Sequence, residues 1–176
     1  ELLTGVSLSD VLEGKTKDAY GNDVPFAIKM AQDFKNDPEH FATIIVTSVL
    51  SGLMALHDAG YIHRDIDPTN IMLTTEGKVK LIDYGIAKQM NNLTTNDKSL
   101  TVAGSFMGKP EYASPELVLG DVKHQNQTTD IYAVGILLYQ CIIGHPPFEG
   151  PRHEVLDKQM KSKLPLSKIK NKGLRN

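Results

Sequence analysis

The stretch His63-Arg64-Asp65-Ile66-Asp67-Pro68-Thr69-Asn70 concentrates carboxylate and amide oxygens in a few residues, and Asp83-Tyr84-Gly85 adds another carboxylate further on. Oxygens of this kind are the ligands magnesium prefers, because that hard cation binds carboxylates and amides in octahedral geometry. Oxygens such as those of Asp65, Asn70 and Asp83 could serve chemistry with a metal, or supply an acid–base carboxylate. Asn and Asp also favour turns, so each of them taken singly could be a turn former. The remaining histidines, His40, His57, His124, His145 and His153, show no metal-ligand spacing. Cys141 lies in an apolar run and reads as a small hydrophobe.

Elements on either side must hold these residues in place. Asp37-Pro38-Glu39 predicts a helix start, with Asp as cap, Pro at the first helical position and Glu in the first turn. Phe41, Ile45, Val49, Leu53 and Leu56 then recur at helical spacing, and Gly60 is the expected terminator. Ile71-Met72-Leu73 and Val79-Lys80-Leu81-Ile82 flank Thr75-Glu76-Gly77, which predicts a β-hairpin that turns Asp83 back toward Asp65. Ser7 to Leu12 suggests a short helix capped by Ser7 or Ser9. Residues 13–38 are polar and rich in Gly, Asp and Asn, which predicts a loop or surface insertion. Asn91 to Gly108 reads as a long loop, Thr129 to Ile143 as an apolar helix, and Glu154 to Lys163 as an amphipathic surface helix. The predicted fold class is mostly α with a small β-hairpin.

Composition sets outer bounds. The 176 residues are 40% hydrophobic and 23% charged, as expected of one soluble globular domain able to bury its own core. Nineteen Lys plus Arg against twenty-one Asp plus Glu give a net charge of −2, which argues against a nucleic-acid partner. The single cysteine rules out a disulfide framework and suggests a reducing, cytoplasmic setting. An uncharged stretch runs from Ile131 to Phe148, but only its first thirteen residues form an apolar run. A membrane span needs about 20, so a buried core helix is expected and no membrane segment. Seven basic residues and no acidic one lie between Lys158 and Arg175, which reads as a solvated face. The N-terminal Glu1-Leu2-Leu3 is neither a signal peptide nor a clean start.

Five motifs in one order carry a family resemblance. His63-Arg64-Asp65 with Asn70 fits the pattern H-R-D, four residues, N, and Asp83-Tyr84-Gly85 matches D-F-G with Tyr for Phe. Gly108-Lys109-Pro110-Glu111-Tyr112-Ala113-Ser114-Pro115-Glu116 resembles G-T-P-x-Y-x-A-P-E. Asp130-Ile131-Tyr132-Ala133-Val134-Gly135 and Gly144-His145-Pro146-Pro147-Phe148 resemble the buried helix and the P-P-F turn that follow. The chain thus resembles the C-terminal lobe of a eukaryotic-type (Hanks-type) serine/threonine protein kinase, of the kind also found in bacteria. The resemblance implies a partial kinase domain over residues 1–176, with an activation segment at 83–116. It places the N-terminal lobe, with its glycine-rich loop and strand lysine, outside this sequence, and the isolated chain is then expected to be inactive. Ala27-Ile28-Lys29 resembles the lysine strand but lies after the hinge, so Lys29 is expected to be a solvated loop residue. A pseudokinase or partner-binding lobe is one alternative reading. A small-molecule phosphotransferase is another, although that class lacks the Ala113-Ser114-Pro115-Glu116 segment.

The resemblance implies ATP and Mg2+ as cofactors and a protein hydroxyl as acceptor. Asp65 would orient the hydroxyl and take its proton, while Asn70 and Asp83 would hold magnesium. Glu1, Leu3, Leu8 and Met72 would line the ATP site, with Leu8 and Met72 under the adenine. His63 would be a packed structural residue beside Tyr84, Glu116 a structural carboxylate, and Asp130 a clamp on the backbone of the loop. Arg64 would answer to phosphorylation of the activation segment, at Thr101 or Ser105. Two positions depart from the family pattern: Asp67 stands where Lys is usual, and Lys109 where Thr is usual. Lys109 is therefore expected to reach back to Asp67 and serve catalysis from the other side of the gap.

Overall fold

The structure is a computed structural model, and it describes residues 3–83, 88–89 and 108–175. Tyr84, Thr101, Ser105, Glu1 and most of the expected long loop lie outside these residues.

Two helices form the centre. Helix α3 (Pro38–Asp58) begins as its sequence predicts: Asp37 accepts from the His40 amide at 3.1 Å, Pro38 opens the first turn, and Glu39 sits in it. Its stripe of Phe41, Ile45, Val49 and Leu53 is buried. Ala59 caps its end, and Gly60 follows at φ +84°, a left-handed conformation that glycine adopts without steric cost. Helix α5 (Gln127–Ile143) packs against α3. Asn126 and Thr129 form a reciprocal capping box at its start, and Gly144 at φ 97° ends it. Ala133, Val134, Ile136, Leu137 and Cys141 are all buried in the core that α3 and α5 share. Burial pushes the Cys141 thiol up to about 12, in keeping with an inert hydrophobe. By length and composition α3 could cross a membrane; here it lays its apolar face on α5.

The hairpin of β3 (Ile71–Thr74) and β4 (Val79–Leu81) is present, with Ile71 opposite Leu81 and Leu73 opposite Val79. It is part of a larger sheet than expected. Strand β1 (Gly5–Ser7) pairs antiparallel with β3, giving the order β1-β3-β4. Gly5 is required there, because a Cβ would sit 2.2 Å from the Leu73 carbonyl oxygen. A second pair joins β2 (Tyr61–Ile62) to β5 (Lys88–Gln89). Three-residue strands give too short an alternation to be seen in sequence. Helix α1 (Leu8–Leu12) is capped by Ser7, whose Oγ accepts from the Asp10 amide.

The expectation of a loop or surface insertion across residues 13–38 needs correction. Residues 25–36 form helix α2 (Pro25–Asn36), opened by Pro25, and Ala27, Met30 and Ala31 are buried in the main core. Only the turn before it, closed by the Lys17–Asp23 bridge, is loop. The apolar spacing of Ala27, Met30, Ala31 and Phe34 is helical, but flanking Gly, Asp and Asn mask it. Lys29 is a helix residue paired with Asp33 at 2.8 Å, exposed and far from any lysine-strand role. Beyond α5 come α6 (Arg152–Lys161) and α7 (Lys172–Arg175), while the short α4 (Pro115–Leu119) precedes it.

The placement of α2 is testable. Met30→Ala should cost about 2–5 kcal/mol in denaturant unfolding, as expected for a fully buried side chain, while Lys29→Ala should cost less than about 0.5. Equal small effects would return the segment to the surface.

Candidate active site

The loop from His63 to Asp67 runs between β2 and the 310 turn Pro68–Asn70. Its shape is imposed by one carboxylate on α5. Asp130 is fully buried, and its oxygens accept the His63 amide at 2.9 Å and the Arg64 amide at 2.8 Å. The His57 Nε2 at the end of α3 is 2.7 Å from the same group. Arg64 adopts φ +66°, a left-handed conformation costly for a side chain of its size and kept only where surroundings enforce it. Asp130 holds the amides on either side of that bend, the place that the family resemblance implies for it. The contribution of His57 has no sequence signal of its own; it becomes visible only once α3 ends beside α5.

His63 is fully buried, and desolvation holds its pKa below the usual imidazole range. Its Nδ1 accepts from the Asp65 amide at 3.3 Å, and its Nε2 donates to the Ile82 carbonyl at 3.3 Å. That assignment makes it a neutral brace between the loop and the end of β4.

Asp65 and Asn70 are joined directly. The Asn70 amide donates to the Asp65 carbonyl and to its carboxylate, both at 2.9 Å. Both amide hydrogens are thereby used, which leaves the amide oxygen of Asn70 as the atom that could meet a metal. Burial raises the Asp65 pKa, the negative charge of Asp67 adds to the rise, and the Asn70 hydrogen bond opposes it. The Ile82 amide donates to the Asn70 carbonyl at 2.8 Å, anchoring the strand end that leads to Asp83. Asp83 is exposed at φ +58° and near enough for its charge to raise the Asp65 pKa. Among the described residues no group of three His, Cys, Asp or Glu forms a metal cage. Asn70 and Asp83 offer instead two hard oxygens, the partial set with which magnesium completes its shell from water and phosphate.

The two departures from the family pattern meet. Lys109 Nζ lies 2.7 Å from Asp67 Oδ1 and 3.1 Å from the Thr69 hydroxyl. Asp67 also accepts from the Thr69 amide and hydroxyl, each at 2.6 Å, and so caps the 310 turn that delivers Asn70. Just beyond Lys109, the Tyr112 hydroxyl donates to Gln140 of α5, and burial pushes the phenol pKa upward. Glu116 accepts from the Thr129 hydroxyl at 2.7 Å, tying α4 to the start of α5. Arg64 is buried, with Nη1 3.5 Å from the Gln125 side chain.

Leu3 and Met72 are half-buried and line an open cavity of about 150 Å3 with Thr4, Gly5 and residues 18–20. The expectation for Leu8 is corrected. Leu8 is fully buried in the main core and offers no surface to a ligand, because α1 folds that face inward.

The protein kinase domain family matches residues 21–174, and the chain belongs to that family. Its relatives set it among the Hanks-type serine/threonine kinases, with bacterial members prominent. It is 35% identical over 159 residues to the Corynebacterium glutamicum protein named "Probable serine/threonine-protein kinase PknB", covering 84% of this chain and 24% of that one. It is 37% identical over 113 residues to the serine/threonine-protein kinase PknL of Mycobacterium tuberculosis, covering 64% and 27% respectively. It is 36% identical over 128 residues to the Arabidopsis thaliana serine/threonine-protein kinase AtPK1/AtPK6, covering 73% and 26%. The chain thus spans about a quarter of the length of these curated relatives.

The clamp can be tested by stability. Asp130→Ala strands three donors, two of them buried backbone amides, and should cost about 3–5 kcal/mol in denaturant unfolding. Glu116→Gln keeps an acceptor for Thr129 and should cost less than about 1 kcal/mol.

Proposed function

We propose that the protein containing this chain transfers the γ-phosphate of ATP to serine or threonine hydroxyls of a protein substrate. This chain corresponds to the C-terminal lobe of that kinase, and an N-terminal lobe completes the ATP site. The observation that carries this reading is the Asp65–Asn70 unit, held rigid by Asp130 and facing Asp83.

Phosphoryl transfer asks the protein for positioning and charge neutralisation, because its transition state is loose. Asp65 accepts a hydrogen bond from the substrate hydroxyl, orients it and takes its proton late. Its raised pKa suits that role, and the Asn70 hydrogen bonds fix the carboxylate. Asn70 and Asp83 would hold magnesium through their oxygens, and the metal would supply neutralisation of phosphate charge. Leu3 and Met72 offer an apolar floor for the adenine. Arg64, already turned toward Gln125, is the group that a phosphate on Thr101 or Ser105 would meet.

The test compares ATP hydrolysis and substrate labelling by the full-length protein, its Asp65→Asn variant and the 176-residue chain alone. Asp65→Asn should lower kcat by about 10²–10⁴-fold, with the KM for ATP little changed. The chain alone should neither bind ATP tightly nor turn over. An Asp65→Asn variant as active as the parent would remove the proposed base, and turnover by the chain alone would remove the dependence on a second lobe.

A further inference from the structure

Asp67 and Lys109 come from different segments, the catalytic loop and residues 108–116, and meet beside Asp65. The pair is unlike an ordinary surface ion pair. The Asp67 side chain is only 3% exposed, whereas that of Lys109 is 42% exposed. A carboxylate so buried needs compensating donors, and three converge on its Oδ1: the Thr69 amide, the Thr69 hydroxyl and the Lys109 ammonium. The buried partner fixes the position, and the exposed partner presents the charge.

An ammonium carries three donors. Among the described residues, Asp67 and Thr69 take two of those of Lys109, so a third is available to an anion. Lys109 and Asp65 also border one water-sized cavity of about 10 Å3, too small for a phosphoryl group, together with Arg64, Tyr112 and Asp130, which places the two residues as neighbours. Arg64 is buried there, with Nη1 turned toward Gln125. Lys109 is thus the more exposed of the two cations there, and it borders the same space as Asp65, the residue that would orient the attacking hydroxyl. A transferring phosphoryl group bears charge on its equatorial oxygens and is stabilised by a cation fixed in advance.

We propose that Lys109 is a catalytic residue that faces the phosphate being transferred, and that Asp67 is the positioning residue that holds it there. The inference rests on the phosphotransfer reading above. It makes the segment that carries Tyr112 also the carrier of a catalytic charge, so chemistry depends on that segment being docked on the loop.

Steady-state kinetics of the full-length protein with ATP and a protein substrate test it, with melting temperatures recorded for each variant. Lys109→Thr should lower kcat by about 100-fold while the KM for ATP changes less than about threefold. Asp67→Asn leaves the ammonium present but loosely held, and should lower kcat by about tenfold. The exchange Asp67→Lys with Lys109→Thr restores a cation from the opposite side and should recover most of the kcat lost in Lys109→Thr. A Lys109→Thr enzyme within twofold of the parent would overturn the proposal. So would a normally melting double variant no faster than Lys109→Thr. A full-length protein that transfers no phosphate would overturn the phosphotransfer reading and this inference together, whereas an active parent silenced by Asp65→Asn but not by Lys109→Thr would overturn the inference alone.

Discussion

The buried carboxylate of Asp130 is the constraint on which the site depends. It sits in the first turn of α5, fully enclosed, and gathers two backbone amides of the loop and the imidazole of His57. A buried charge without donors would be very costly, so the loop cannot leave without stranding it. The loop in turn cannot keep Arg64 at φ +66° without it. Each side offsets a cost that the other would otherwise bear alone. The helix pair α3 and α5 is what makes the arrangement rigid, because α3 brings His57 and the entry to β2, and α5 brings Asp130.

From that anchor the geometry propagates outward by short bonds. His63 braces the loop against the end of β4, Asn70 ties Asp65 to the start of β3, and the Ile82 amide returns the hairpin to Asn70. The segment around Lys109 and Tyr112 is attached separately, through Asp67 on the loop and Gln140 on α5. Glu116 finds the Thr129 hydroxyl one residue before Asp130, so α4 shares the same helix start. The candidate catalytic residues thus rest on a network centred on the first turn of α5.

Much of this was legible in the sequence because capping and periodicity are local. Asp37-Pro38-Glu39 announces α3, and Phe41, Ile45, Val49 and Leu53 announce its buried face. The hairpin follows from its turn, and the meeting of Asp67 with Lys109 from two opposite departures from one pattern. What was not legible depends on tertiary context. Strands β1 and β2 are too short to alternate, and pairing with distant partners creates them. Helix α2 hides a buried face among polar neighbours, and Leu8 turns inward for packing reasons that a motif cannot express. His57 is one histidine among six until the end of α3 is placed against Asp130.

Native-state hydrogen exchange at the His63 and Arg64 amides tests the central role of Asp130 most directly. In the full-length protein both should exchange slowly, at rates comparable with the core amides of α5. Asn at position 130 offers one carbonyl oxygen in place of two carboxylate oxygens, so at least one amide loses its acceptor. With Asp130→Asn, exchange at His63 or Arg64 should accelerate about tenfold or more while the α5 core stays protected. Unchanged protection at both amides would contradict the account, because the loop would then be held by something other than this carboxylate.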